Sequence, residues 1–276
     1  MLEFLSELYE RGLSYNTIAA AKCSISSLAK TPEGNNIGSD QDVVRFMKGI
    51  FELRPTLKSD KIWEVNKLLN YYRNKPANDS LNLKELTKKT CALLMLISAQ
   101  RAQTLNLIRT TGIEFEENNC TIYVLDKLKQ TRPNFHLEPI VVTKNDKDKQ
   151  VCVFSCLKDY LQRTEKLRLG FTDKLFICYR APHREASIDT ICRWSKDVLS
   201  KAGIDNFTAK SYRSASSSDM MTKGVNLKTI MKTAGWSRES TFRKFYCKSV
   251  NVESDDQIVA KNKSKVQDSI IKYLKT

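Results

Sequence analysis

Apolar residues recur at helical spacing through the first part of the chain. Leu2, Leu5, Leu8 and Tyr9 form one stripe, Tyr15 to Leu28 is rich in Ala and Ile, and Val44, Phe46, Met47 and Phe51 line one side of Asp42 to Leu53. Arg54-Pro55 ends that helix, because a residue preceding proline is pushed out of helical backbone geometry. A further helix is expected over Lys61 to Tyr72, with Ile62, Trp63, Val65, Leu68 and Leu69 as its apolar positions. The polar stretch Asn74 to Ser80 is turn-forming, and a domain boundary is expected there.

The second part opens with a helical pattern over Leu83 to Ile108. Its centre, Cys91 to Ser98, is apolar on every side and must be buried. Arg101 follows directly. Strand-like runs come next at Gly112 to Phe115 and Cys120 to Leu125, joined at Asn118-Asn119, and then at His136 to Val142. This arrangement puts Lys129 in a hairpin loop. Val153 to Leu167 and Ser187 to Ala202 read as helices, Leu175 to Tyr179 as a strand, and Thr208 onward as a helical series punctuated by Gly224 and Gly235. The expected fold is therefore mainly α with a small antiparallel β-sheet. Residues 1–76 form a helical domain, 82–250 a mixed α+β domain, and 251–276 a basic tail.

Charge sharpens this division. Lys and Arg outnumber Asp and Glu by 46 to 31, which points to a polyanionic partner. Residues 1–80 carry 11 basic and 10 acidic groups, whereas 81–276 carry 35 and 21, so the excess sits in the second part. No apolar run approaches the roughly 18–20 residues that span a bilayer, and Met1-Leu2-Glu3-Phe4 lacks the layout of a signal peptide. An intracellular protein with no membrane partner is expected. Eight cysteines without CxxC pairs and only two histidines, His136 and His183, give no zinc-ligand spacing, so reduced, mostly buried thiols and no metal are expected.

The candidate chemistry lies late in the chain, in Lys210-Ser211-Tyr212-Arg213, Gly235-Trp236 and Phe245-Tyr246. Earlier come Arg101 and the lysine-bearing segment Asp126-Lys127-Leu128-Lys129-Gln130-Thr131-Arg132. A phosphodiester is anionic and resists attack. Cutting it without metal takes cationic donors at the nonbridging oxygens, a nucleophile, and an acid for the leaving oxygen. Arginine suits the clamp, since its planar guanidinium binds phosphate in a fork and stays charged. A tyrosine phenol, with a reference pKa near 10, serves as nucleophile when cations surround it or a base takes its proton.

These motifs resemble the tyrosine recombinase (phage-integrase-like) family. Gly235-Trp236 precedes Tyr246 as a Gly-His or Gly-Trp pair precedes the family's nucleophile, and 33 positions separate Arg213 from Tyr246, a spacing that fits. Gly49-Ile50-Phe51-Glu52-Leu53-Arg54-Pro55, Ile62-Trp63-Glu64-Val65-Asn66 and Ala234-Gly235-Trp236 are similar to the recombinases of DIRS-type retrotransposons of animals.

The resemblance implies a helical core-binding domain and a catalytic domain that enclose duplex DNA as a homo-multimer, with no cofactor and no small-molecule substrate, in a nuclear setting. Tyr246 would form a 3′-phosphotyrosine link, Arg101 and Arg213 would bind the scissile phosphate, and Trp236 would buttress it. Lys129 would protonate the leaving 5′ oxygen, with Lys127 its rival. Lys210 stands where the family commonly has His, and Thr104 where an acidic residue often supports the first arginine. A site-specific recombinase of mobile-element origin is the leading expectation. A DNA-binding descendant with impaired chemistry is the alternative, and a type IB topoisomerase-like enzyme the third.

Overall fold

The computed structural model describes the chain apart from residues 55–60, 129–130, 132–136, 169, 171, 237–238, 241, 243–248 and 251–276. Lys129, Tyr246 and the basic tail therefore lie outside the described residues. The chain divides into two compact units, Met1–Ser59 and Asp60–Thr276.

The first unit holds α1 (Leu2–Glu10), α2 (Tyr15–Leu28) and α3 (Gln41–Leu53). Leu5, Leu8, Ile18, Val43, Met47 and Ile50 form its core. Side-chain caps fix the helix starts: Ser14 accepts from Thr17 N at 3.3 Å, and Asp40 accepts from Asp42 N at 2.9 Å. Gly38 lets the turn before α3 touch α2, since a Cβ there would lie 1.9 Å from Ser26 Oγ.

The second unit is built around α5 (Leu83–Ser98). As its pattern requires, Cys91 to Leu96 are all buried, with α7 (Val153–Arg168), α8 (Ile188–Lys201) and α9 (Ala209–Thr222) packed around them. β2 (Ile113–Phe115), β3 (Asn119–Ile122) and β4 (Ile140–Thr143) form an antiparallel meander, with Ile113 opposite Ile122 and Ile122 opposite Ile140. Cys120, Ile122, Ile140 and Val142 point inward from β3 and β4, and β4 lies against α7. The mixed, mainly helical class is as expected.

Three local readings differ. The Leu83–Ile108 helix is interrupted, because Ala99 turns left-handed at φ 50° and a short helix α6 (Ala102–Leu107) starts anew. The expected strand Leu175–Tyr179 makes only isolated bridges in its neighbourhood, Lys174 to Arg109 and Ile177 to Glu185. The expected helix from Lys61 begins later, as α4 (Val65–Arg73), after the two-residue strand β1 (Lys61–Ile62).

The division between units falls at residue 59, before the polar stretch expected to carry it. The reason is packing. Ile62, Trp63, Val65, Leu68, Tyr72 and Leu81 belong to the core around α5. Trp63 donates its indole N–H to Ser211 Oγ at 2.8 Å and packs edge-on against Tyr212 at 5.3 Å. Burying such a side chain contributes about 1.5–3 kcal/mol, so these six together carry about 9–18 kcal/mol, comparable with the whole stability of a domain. Fragment 60–276 is expected to unfold cooperatively in urea, and fragment 82–276 to lack a folding transition. A cooperative transition of 82–276 at the midpoint of 60–276 would contradict this.

Candidate active site

α9 supplies the first elements of the site. Its sequence is poor in large apolar residues, yet Ala209 and Tyr212 to Ser218 are buried. Small side chains at 214–218 let its backbone come close to α5 and α10 (Leu227–Ala234). Arg213 is 3% exposed. Its NH1 donates to the carbonyls of Ala99 at 2.9 Å and Ala234 at 2.5 Å. The guanidinium carbon sits 3.9 Å from the Trp236 ring centroid, a close cation–π stack. Two carbonyls and an indole face thus fix the plane of the fork.

The end of α5 is shaped to meet it. Ala99 in the left-handed region ends the helix and aims its carbonyl at Arg213. Non-glycine residues pay for this conformation, and here the Arg213 bond and the burial of Ala99 beside Ile230, Ala234 and Trp236 offset it. Gln100 donates through Nε2 to Thr233 O at 2.8 Å and accepts from Thr104 Oγ1 at 3.4 Å. The Gln100–Thr104 pair therefore ties the turn to α10 where an acidic residue would often stand. Arg101, the next residue, caps α6 and exposes its side chain beside this turn.

α10 ends in a left-handed glycine. Gly235 has φ +68°, its N–H reaches Lys232 O at 3.1 Å, and Trp236 N reaches Met231 O at 2.8 Å. This Schellman geometry favours glycine and lays Trp236 beneath Arg213. Trp236 is 8% exposed and meets the wholly buried Phe242 edge-on at 5.7 Å. Phe242 is four residues before Tyr246, and β5 (Ser249–Val250), three residues after it, pairs in parallel with β1 beside α9.

The structure brings together Arg213, Trp236 and the turn carrying Arg101. Lys210 is three residues before Arg213 on α9, and it is exposed. Lys127 is also exposed, and Leu128 after it is buried. Tyr212, beside Arg213 on α9, is placed against a nucleophilic role: it is wholly buried, burial pushes its phenol well above the usual value, and its hydroxyl donates to Ser195 O at 3.2 Å. Sequence reasoning missed Ala99, whose carbonyl holds Arg213, and Gln100, which ties the turn before Arg101 to α10. The signal was a small residue and an amide directly after a wholly apolar helix.

Among the described residues no cluster of three His, Cys, Asp or Glu side chains could hold a metal ion, and no helix is long and apolar enough to cross a membrane. Cys91, Cys120, Cys152 and Cys156 are buried thiols, while Cys23 is exposed.

The family model described as Phage integrase family matches residues 62–251. Among solved structures, the XerH site-specific recombinase bound to palindromic difH substrate, a post-cleavage complex, is 16% identical with a TM-score of 0.61 over 88% of this chain and 66% of that one. The Tn1549 transposon integrase (residues 82–397) in complex with circular intermediate DNA is 15% identical, with a TM-score of 0.58 over 94% of this chain and 82% of that one. A lambda integrase dimer bound to a COC′ core site is 12% identical, with a TM-score of 0.52 over 93% and 66%. At these identities the likeness establishes the fold. The chain spans slightly under two thirds of the XerH and lambda integrase chains. No curated protein matches it.

Proposed function

This chain belongs to the phage integrase family, and we propose on that premise that it is a site-specific DNA recombinase acting through a 3′-phosphotyrosine intermediate. The observation that carries this reading is the convergence of Arg213, Trp236 and the Arg101 turn, fixed by the carbonyls of Ala99 and Ala234, inside the matched span that also contains Lys129 and Tyr246. Arg101 and Arg213 clamp the nonbridging oxygens of the scissile phosphate. The Tyr246 phenol oxygen bonds to phosphorus as the P–O5′ bond breaks, Lys129 gives the leaving oxygen its proton, and the phenolic proton passes to water. The phosphotyrosine bond conserves the energy of the cut linkage, so rejoining by a 5′ hydroxyl needs neither ATP nor metal.

The partners in this reading are double-stranded DNA and further copies of the chain assembled on it. The XerH recombinase is bound to a difH substrate, the Tn1549 integrase to circular intermediate DNA, and the lambda integrase is a dimer on a COC′ core site. Residues 1–59 serve as the helical core-binding clamp. The chain derives from a mobile element of the DIRS type and acts in the nucleus, a proposal that rests on the sequence resemblance at Gly49–Pro55, Ile62–Asn66 and Ala234–Trp236.

A second reading, a DNA-binding descendant with lost chemistry, is favoured by Lys210 alone. An ammonium donates to phosphate well but accepts a proton poorly at neutral pH. A nicked suicide substrate separates the two readings, since cleavage beside the nick releases a short fragment and traps any covalent adduct. Native protein is expected to form the adduct slowly, and Lys210→His to form it about tenfold faster, short of the roughly 10²-fold that a well-placed general base supplies. Equal rates would mean that lysine suffices at this position. No adduct from either protein, with DNA binding intact, would favour the remnant.

A further inference from the structure

The two carbonyls that grip Arg213 come from different parts of the chain. Ala99 O lies in the turn between α5 and α6, and Ala234 O at the last residue of α10, yet both accept from the same nitrogen, NH1. One donor can serve two acceptors only while they keep a fixed separation. The side chain of Gln100 spans the two segments. Gln100 follows Ala99 in the turn, and its Nε2 donates at 2.8 Å to the carbonyl of Thr233, the residue before Ala234. Adjacent carbonyls at the end of α10 thus take one bond from the turn and one from α9.

Gln100 is itself held on every side. It is wholly buried, as is Ser98, and Thr104 is nearly so. Its backbone N–H donates to Ser98 Oγ at 3.3 Å, and that hydroxyl donates to Leu94 O, one turn back in α5, at 2.6 Å. Thr104 Oγ1, in α6, donates to Gln100 Oε1 at 3.4 Å, which turns the amide nitrogen toward α10. Turned over, the amide would set oxygen against the Thr233 carbonyl, an arrangement a buried acceptor does not tolerate.

We propose that Gln100 is a positioning residue for Arg213: it holds Ala99 O and Ala234 O at the spacing that fixes the plane of the guanidinium, and with it the fork offered to the scissile phosphate. This rests on the recombinase reading above. Gln100 touches neither phosphate nor DNA in this arrangement, so its effect on the reaction passes wholly through Arg213. A neutral amide suits the task, because it donates to a carbonyl at one end and accepts from a hydroxyl at the other, whereas a carboxylate only accepts.

The test is a double-mutant cycle read in the rate of adduct formation on the nicked duplex. Gln100→Met keeps the length of the side chain and removes both of its bonds. With Arg213 intact it is expected to slow the adduct about tenfold, less than the 10²–10³-fold of deleting a preorganised donor outright, and to leave DNA affinity within about twofold of native. In an Arg213→Lys background no guanidinium bridges the two carbonyls, and the same substitution is expected to slow the reaction by no more than about twofold. A role confined to packing would slow both backgrounds by the same factor, since independent effects add in free energy and multiply in rate.

Thr104→Val removes the hydroxyl that orients the amide and should reproduce the pattern more weakly. It carries the cycle if the double variant with Gln100→Met fails to fold. Equal slowing in both backgrounds, or none with Arg213 intact, would overturn the proposal. A native chain that binds the nicked duplex and forms no adduct would instead overturn the recombinase reading, and this proposal with it.

Discussion

Arg213→Ala is expected to lower the melting temperature by about 10 °C and to cut the rate of adduct formation by about 10²–10³-fold. The first effect follows from the two buried carbonyls. Ala99 O and Ala234 O each accept a charge-assisted hydrogen bond, worth roughly 1.5–3 kcal/mol, and the stacking on Trp236 is lost as well. A net cost of about 3–5 kcal/mol, at roughly 2–4 °C per kcal/mol for a domain of this size, gives that shift. The second effect is the loss of one preorganised donor at a developing charge. Arg213→Lys separates the two. Lysine keeps a cation near the phosphate but cannot bridge both carbonyls while stacking on the indole. It should recover part of the rate and little of the stability. A folded Arg213→Ala variant with native melting temperature and a rate within a few-fold of native would remove Arg213 from both roles.

Tyr246→Phe is expected to abolish the covalent adduct while leaving DNA affinity nearly unchanged. Only the attacking oxygen is removed, and the ring is kept. A phenol of reference pKa near 10 attacks at neutral pH only where cations stabilise the phenolate, the service that the proposed mechanism asks of Arg101 and Arg213. Gel mobility with labelled duplex measures the affinity, and an SDS-resistant band measures the adduct. A band that persists in Tyr246→Phe would place the nucleophile elsewhere, though not at Tyr212, whose hydroxyl is buried against Ser195.

Local patterns in the sequence carried much of this site. The apolar run Cys91–Leu96 could only be a buried helix, Gly235 announced the end of α10, and Arg213 stood among residues small enough for close packing. Contacts between distant segments were not legible in this way. Trp63 was grouped with its sequence neighbours, whereas its indole bonds to Ser211, nearly 150 positions later, and carries α4 into the second unit. The left-handed turn at Ala99 was invisible because alanine has no preference for it, and the bond from Arg213 that offsets its cost comes from another helix. Arg109, Asp126, Asp173 and Lys174 read singly as ordinary surface charges, and only folding assembles them.

The central claim is that this chain cuts DNA by making a tyrosine ester of a 3′ phosphate. Its most direct test is to trap the native protein on a nicked duplex, digest the adduct with protease and nuclease, and identify the nucleotidyl peptide by mass spectrometry. The account predicts one modified residue, Tyr246, joined to the 3′ end of the cleaved strand. Attachment to another side chain, attachment to a 5′ end, or no adduct from protein that binds the same duplex would contradict it.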